Sequence, residues 1–104
     1  MGKINCWQDP ELTEAILIWT GHGDAASPRR DSSWVELRFS DEGDKWLAII
    51  ESLTDDFYDT KANIEAKDIS EMWTISIVDF KAKYPDVPDK IAKALAWCYT
   101  FDNR

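Results

Sequence analysis

The segment 91–101 constrains the fold of this chain more than any other part of the sequence. Its apolar residues occupy nearly every position: Ile91, Ala92, Ala94, Leu95, Ala96, Trp97, Cys98, Tyr99 and Phe101. A helix that is apolar on all sides must be covered on all sides, which places it at the centre of a domain. Asp86 and Asp89 stand just before it, where acidic side chains favour the positive end of a helix dipole. We therefore expect the rest of the chain to pack around its C-terminal helix.

Two further segments begin with helix caps and keep one apolar face. Segment 9–20 has Asp9 as a candidate N-cap, Pro10 at its first position and Gly21 just past its end. Segment 68–84 opens with Asp68 and Glu71 at the spacing of a capping box. The residues predicted to face the core are Leu12, Ala15, Ile16 and Trp19 in the first segment, and Ile69, Met72, Trp73, Ile77, Phe80 and Tyr84 in the second.

Segment 44–59 has the most regular amphipathic pattern of the chain. Its apolar side is formed by Trp46, Ile49, Ile50, Leu53 and Phe57. The opposite side carries four acidic residues, which we call the acidic stripe: Asp44, Glu51, Asp55 and Asp59. Asp41, Glu42 and Asp56 extend it at the edges. Like charges four residues apart destabilise an isolated helix by about 0.2–0.5 kcal/mol per pair, so the stripe has a physical cost.

Two short segments fit either a helix or a strand. Alternating apolar residues in 34–39 suit a strand, whereas Ser33 and Glu36 have the spacing of a helix cap and its partner. Segment 73–78 is rich in β-branched residues, but it lies inside the longer helical pattern of 68–84. The predicted fold is a single all-α domain over 1–104, a compact bundle of four to five helices around the hydrophobic C-terminal helix. The alternative is an α+β fold with a small hairpin formed by 34–39 and 73–78.

Length and composition exclude several classes of protein. The chain has 104 residues, which is enough for one domain. It lacks both a run of about 20 apolar residues and the apolar start of a secretory signal, so a cytoplasmic protein without a membrane span is expected. Cys6 and Cys98 are too few for a disulfide framework or a zinc site, and no glycine-rich phosphate loop is present, so no metal or cofactor is expected. The aromatic neighbours of Cys98 predict a buried, unreactive thiol.

The loop 21–33 is the one place where the sequence offers polar groups for chemistry. Its candidates are His22, Asp24, Arg29 and Arg30. One interpretation is a small anion or ligand site, or a general base, with Asp24 orienting the imidazole of His22. The other is a solvated turn whose arginines pair with acidic residues of the same chain.

The negative charge of the chain is concentrated in its middle third. Residues 41–71 contain ten acidic and three basic residues, whereas the whole chain has a formal charge of −8. A field of this sign repels nucleic acid and favours a basic protein partner. Trp7 and Trp34 lie at the edges of predicted elements, where an exposed aromatic side chain could act as an anchor.

A small acidic helical domain with no catalytic motif resembles the inhibitor and immunity proteins that bacteria pair with basic toxins. The resemblance implies a non-enzymatic protein that blocks a toxin, such as a nuclease effector, by covering its substrate cleft with carboxylates. The residues expected to bind the partner are Asp44, Glu51, Asp55, Asp56, Asp59 and Trp34. Two alternatives remain open, namely a small ligand-binding protein or enzyme that uses the loop from His22 to Arg30, and a helical regulatory subunit whose last helix pairs with another copy.

Overall fold

The computed structural model describes residues 7, 9–23 and 25–103, and every regular element in these ranges is helical. The elements are α1 (Pro10–Thr20), α2 (Ser32–Phe39), a 3-10 turn (Ser40–Glu42), α3 (Gly43–Tyr58), α4 (Ala62–Glu65), α5 (Ile69–Lys83) and α6 (Asp89–Asp102). The all-α prediction is confirmed, with four helices of 11 or more residues and two short ones. The two ambiguous segments lie in α2 and α5, so the α+β alternative is wrong.

The ends of α1 and α5 follow the local signals in the sequence. Asp9 Oδ1 accepts a hydrogen bond from the Glu11 backbone N–H at 2.9 Å, and Gly21 ends α1 in the left-handed conformation with φ 78°. Asp68 Oδ1 accepts a hydrogen bond from the Glu71 N–H at 2.8 Å. These side chains satisfy backbone groups that have no partner inside the helix.

The start of α2 differs from the prediction. Asp31, not Ser33, is the N-cap, because its Oδ1 accepts the backbone N–H of Ser33 at 3.0 Å and the Ser33 hydroxyl at 2.6 Å. Ser33 thus stabilises the cap and does not form it. At the other end, α2 lies so close to α3 that a Cβ on Gly43 would stand 3.1 Å from the Glu36 Cα.

The C-terminal helix is central, as predicted. It packs against α5, α1 and α3. Its fully or nearly buried residues are Ile91, Ala92, Ala94, Leu95, Ala96, Cys98, Tyr99 and Thr100. The hydroxyl of Tyr99 accepts the backbone N–H of Asn63 at 3.0 Å and lies 3.0 Å from the Asn63 side-chain oxygen, which joins α6 to α4.

The buried face of α5 is rotated from the face that apolar spacing predicts. Met72, Ser76 and Phe80 are buried, whereas Ile69 is exposed and Trp73 and Ile77 are only partly buried. Ser76 can enter the core because its hydroxyl donates to the Trp73 carbonyl at 2.9 Å, which offsets the cost of burying a polar group.

Two other predicted core positions are less buried than expected. Trp19 of α1 and Ile49 of α3 pack against the core with part of each side chain accessible. Trp7, predicted as a possible exposed anchor, is also partly buried, with its ring 5.7 Å from that of Tyr84. None of the described helices combines the length and the apolar composition needed to cross a bilayer.

Candidate functional site

The acidic stripe faces solvent along α3. All four of its side chains are exposed. Among the described residues, Asp44, Glu51 and Asp55 have no ion-pair or hydrogen-bonding partner for their carboxylates. Asp59 lies 3.4 Å from Lys83 Nζ, yet its side chain remains 86% exposed. Three of the four charges are therefore left to interact with solvent or with another molecule.

Asp56 is placed differently from the stripe, because its carboxylate is used inside the protein. It accepts a hydrogen bond from the hydroxyl of Tyr84, and Lys83 Nζ donates to the Asp56 backbone carbonyl at 2.7 Å. Burial of Tyr84, followed by this hydrogen bond, raises the pKa of Tyr84 to about 12. Asp56 thus joins α3 to the end of α5.

A small cleft adjoins the stripe between α1, α2 and α3. It has a volume of about 320 Å³ and is lined by Trp19, Ser32, Leu47, Ile50, Glu51, Thr54 and Asp55. We call it the stripe cleft. Ile50 is buried and Trp19 and Leu47 are half-buried, whereas Glu51 and Asp55 are exposed. The two carboxylates therefore stand at the rim of a depression whose walls are mainly apolar.

The stripe cleft has the chemistry to hold a basic side chain. The stem of a lysine or arginine is apolar and packs on aliphatic and aromatic surfaces, while its charged end seeks carboxylates. Arginine also stacks on tryptophan faces and forms strong hydrogen bonds with carboxylates. Trp19, Glu51 and Asp55 supply these groups at one place on the surface.

A larger groove lies on another side of α1. It has a volume of about 1010 Å³ and is lined by Pro10, Thr13, Glu14, Leu17, Ile18, His22, Gly23, Arg29, Trp34, Leu37, Arg38, Pro88 and Lys90. We call it the α1 groove. Trp34 is 48% exposed and Leu37 is 82% exposed, so the groove continues into an accessible apolar edge on α2.

The loop residues singled out in the sequence do not form one site. His22 and Arg29 line the α1 groove, and the Arg29 guanidinium lies 4.5 Å from the centre of the Trp34 ring. Arg30 points elsewhere and forms two hydrogen bonds with the Asp102 carboxylate, at 2.5 and 3.0 Å. Asp24 lies outside the described residues, so its role in orienting His22 stays a prediction.

The environment of His22 favours the neutral imidazole. Its ring lies 5.3 Å from that of Trp97. Burial, with the positive charge of Lys93 as a second cause, lowers the pKa of His22 below its ordinary value. The imidazole of His22 therefore favours its uncharged form more than a free histidine does.

Asp102 is the centre of a polar cluster at the C-terminal end of α6. It pairs with Arg30 and accepts a hydrogen bond from the Tyr58 hydroxyl at 2.7 Å. The Arg30 hydrogen bond holds the pKa of Asp102 below its usual value, and the Tyr58 hydroxyl acts in the same direction. Both of these partners belong to the chain, so the cluster fixes the loop and α3 against α6.

Some features of these surfaces follow from the sequence and others do not. The exposure of Trp34 agrees with the prediction, but Trp34 lies in the α1 groove and not beside the stripe. The exposure of Leu37 was not predicted, although Val35 and Phe39 lie four residues apart and mark the buried face of α2. With those two residues turned inward, helical spacing places Trp34 and Leu37 together on an outer face.

Nothing in the described part of the chain forms a metal site, because no group of three His, Cys, Asp or Glu side chains is close enough to hold an ion. Cys98 is buried as expected, and this burial raises the pKa of its thiol to about 11. Comparisons with protein-family models, with curated proteins and with solved structures found no match to this chain.

Proposed function

We propose that this chain is a non-enzymatic binding protein that docks its acidic stripe onto a basic partner protein, in the manner of an immunity protein that neutralises a toxin such as a nuclease. The observation that supports this most directly is the stripe cleft. Glu51 and Asp55 flank an apolar depression beside Trp19, and neither carboxylate has an ion-pair partner in the described ranges. Carboxylates beside an apolar slot suit a basic side chain of another protein.

The charge distribution supports the same partner chemistry. Residues 41–71 carry a net charge of −7, which is most of the total of −8. Concentrated charge of one sign attracts a complementary surface and raises association rates by factors of about 10–1,000 at low salt. At physiological salt, exposed charges that are more than about 8 Å apart are largely screened from each other. The stripe therefore acts mainly on a partner that is already near.

The stripe cleft would then supply affinity after the stripe has oriented the partner. An arginine inserted beside Trp19 would lose contact with water and gain contacts with two carboxylates and one aromatic face. A charged pair that becomes desolvated at an interface contributes mostly to slow dissociation, whereas exposed charges at the rim change the association rate. The sequence suggested Trp34 as the aromatic anchor, and the geometry favours Trp19 in its place.

The experiment uses the full chain, carrying an affinity tag, as bait in an extract of its native cell at low salt. The test variant is Glu51→Lys with Asp55→Lys. The matched control is Glu65→Lys with Asp86→Lys, which makes the same change of charge at two exposed acidic residues away from the stripe. We expect wild type and control to retain a basic protein that the test variant loses and that high salt releases.

The retained protein is then purified and its affinity for each variant is measured by calorimetry. We expect the test variant to bind at least about 100-fold more weakly, which corresponds to about 2.7 kcal/mol. Expression of the partner alone should be toxic, and coexpression of the wild-type chain should remove the toxicity. Equal binding by the test variant and the control would overturn the role of the stripe, and a harmless partner would overturn the comparison with immunity proteins.

A further inference from the structure

We propose that the α1 groove is a second docking site, and that its occupant is an amphipathic helix of a partner protein that carries acidic residues beside its apolar face. This proposal does not depend on the acidic stripe. It rests on the shape of the groove, on the exposed apolar side chains at its edge and on the sign of the charges that line it.

The shape of the groove fits a helix. One face of α1 forms its floor, with lining residues at the spacing i, i+3, i+4, i+7 and i+8: Pro10, Thr13, Glu14, Leu17 and Ile18. Residues of α2 and of the start of α6 line it as well. From Pro10 to Ile18 the floor covers eight residue steps, so at about 1.5 Å per residue it is about 12 Å long, which matches a bound helix of a little over two turns.

The fold leaves the apolar edge of the groove uncovered. Leu37 is 82% exposed and Trp34 is 48% exposed, and both lie beside the half-buried Leu17 and Ile18 of the floor. Adjacent exposed apolar side chains at the edge of a groove offer a surface that a partner can cover. Recognition of an amphipathic helix uses such a surface, into which apolar side chains at i, i+3, i+4 and i+7 insert.

The charges around the groove determine which kind of helix it would take. Three basic residues line it, Arg29, Arg38 and Lys90, against one acidic residue, Glu14. The carboxylate of Glu14 is paired with Arg38, whose Nε donates to it at 2.7 Å. By formal charge the lining thus has more basic than acidic residues in a chain of net charge −8, so acidic residues flanking the apolar face of the occupant would be attracted.

The other possible occupants fit these observations less well. The acidic stripe of a second copy has the right charge, but the apolar face of its own α3 is buried by Trp46, Ile50, Leu53 and Phe57, so α3 cannot supply both kinds of side chain. A compact small molecule on the floor would leave the exposed side chain of Leu37 uncovered. A helix that lies along the floor and extends over α2 covers the whole apolar edge.

The two docking sites lie on different sides of α1. Trp19, which lines the stripe cleft, follows Leu17 by two positions, and at about 100° per residue this places them about 200° apart around α1. The α1 helix therefore presents one side to the stripe cleft and another to the α1 groove.

The experiment measures binding of the full chain to a fluorescein-labelled helical peptide of about 14 residues by fluorescence anisotropy. The probe has leucines at i, i+3, i+4 and i+7, glutamates flanking them and alanines elsewhere, and a second peptide replaces every glutamate with lysine. The test variant is Leu37→Asp. Ile64→Asp is the matched control, since Ile64 is 77% exposed on α4 and lies outside the groove. Circular dichroism checks that both variants are folded.

We expect the wild-type chain to bind the acidic peptide and to bind the basic peptide at least about tenfold more weakly. Leu37→Asp should weaken binding of the acidic peptide at least about tenfold, or about 1.4 kcal/mol, while Ile64→Asp leaves it unchanged. Failure to bind the acidic peptide, equal binding of both peptides or insensitivity to Leu37→Asp would each overturn the proposal. A concentration-dependent dimer in sedimentation that Leu37→Asp abolishes would instead identify a second copy as the occupant, and would also overturn it.

Discussion

Reversal of one charge in the acidic stripe, Asp55→Lys, should stabilise the free protein. Asp55 has acidic neighbours four residues away on both sides, Glu51 and Asp59, and each repulsive pair destabilises the helix by about 0.2–0.5 kcal/mol. The substitution removes two repulsive pairs and creates two attractive pairs, a total of at most about 0.8–2 kcal/mol because Asp59 lies just past the end of α3. Because Lys83 already lies 3.4 Å from Asp59, we expect a value near the lower end, about 1 kcal/mol.

The matched control is Asp44→Lys, which changes the net charge by the same amount and should have the opposite effect. Asp44 lies in the first turn of α3, where a carboxylate interacts favourably with the positive end of the helix dipole by about 0.3–1 kcal/mol. It has no acidic residue four positions further along the helix. A lysine there loses the favourable interaction, so the free energy of unfolding should fall.

The assay is urea denaturation followed by circular dichroism, at low salt and at about 0.5 M NaCl, where screening shortens the reach of exposed charges to a few ångströms. In a thermal scan at low salt, the stabilisation by Asp55→Lys should raise Tm by about 4–8 °C. The increase in Tm should be smaller at high salt. If both substitutions stabilise the protein equally, the effect belongs to the net charge and not to the stripe. If Asp55→Lys gives no stabilisation at low salt, the stripe carries no electrostatic cost and the reasoning fails.

Three other predictions concern stability and reactivity. Gly43→Ala should lower the free energy of unfolding by about 1 kcal/mol in urea titrations, because its Cβ would stand 3.1 Å from the Glu36 Cα in the backbone of α2, and an unchanged or higher value would mean that α2 moves aside. Cys98, whose pKa burial raises to about 11, should react with iodoacetamide at pH 8 far more slowly in the native protein than in urea, as followed by mass spectrometry of its peptide, and equal rates would contradict its burial. The lowered pKa of Asp102 stabilises the fold above the ordinary carboxyl pKa of 3.8, and this contribution is lost as the pH falls through the lower native value. Asp102→Asn should therefore flatten the loss of stability below about pH 4, and an unchanged acid profile would exclude this contribution.

The helix ends could be predicted because their causes are local. Asp9, Gly21 and Asp68 act on backbone groups within four residues, so the sequence alone contains the interaction. The helix α4 could not be found in this way, because one turn has no periodicity. It is fixed from a distance by the Tyr99 hydroxyl, which accepts the Asn63 N–H across 36 positions of the chain.

The candidate sites show the same division between local and distant causes. The acidic stripe depends on positions within one helix, and its exposure could be predicted from helical spacing. The different role of Asp56 could not, because its partner Tyr84 comes from another helix. The α1 groove also needed the structure, since it forms only where α2 and the start of α6 lie beside α1. Leu17 and Ile18 look like ordinary apolar positions until those neighbours are in place.

The exposure of α2 is the strongest indication that this side of the molecule binds a partner. Only Val35 and Phe39 of its eight residues are buried, so the core specifies little of this helix. An exposed leucine beside an exposed tryptophan adds almost nothing to the stability of such a helix, and substitutions at exposed positions of this kind change it by less than about 0.5 kcal/mol. Leu37→Asp should therefore leave the urea midpoint nearly unchanged while it weakens binding in the α1 groove. A large loss of stability would instead assign Leu37 to the fold and remove the main support for the groove as a docking site.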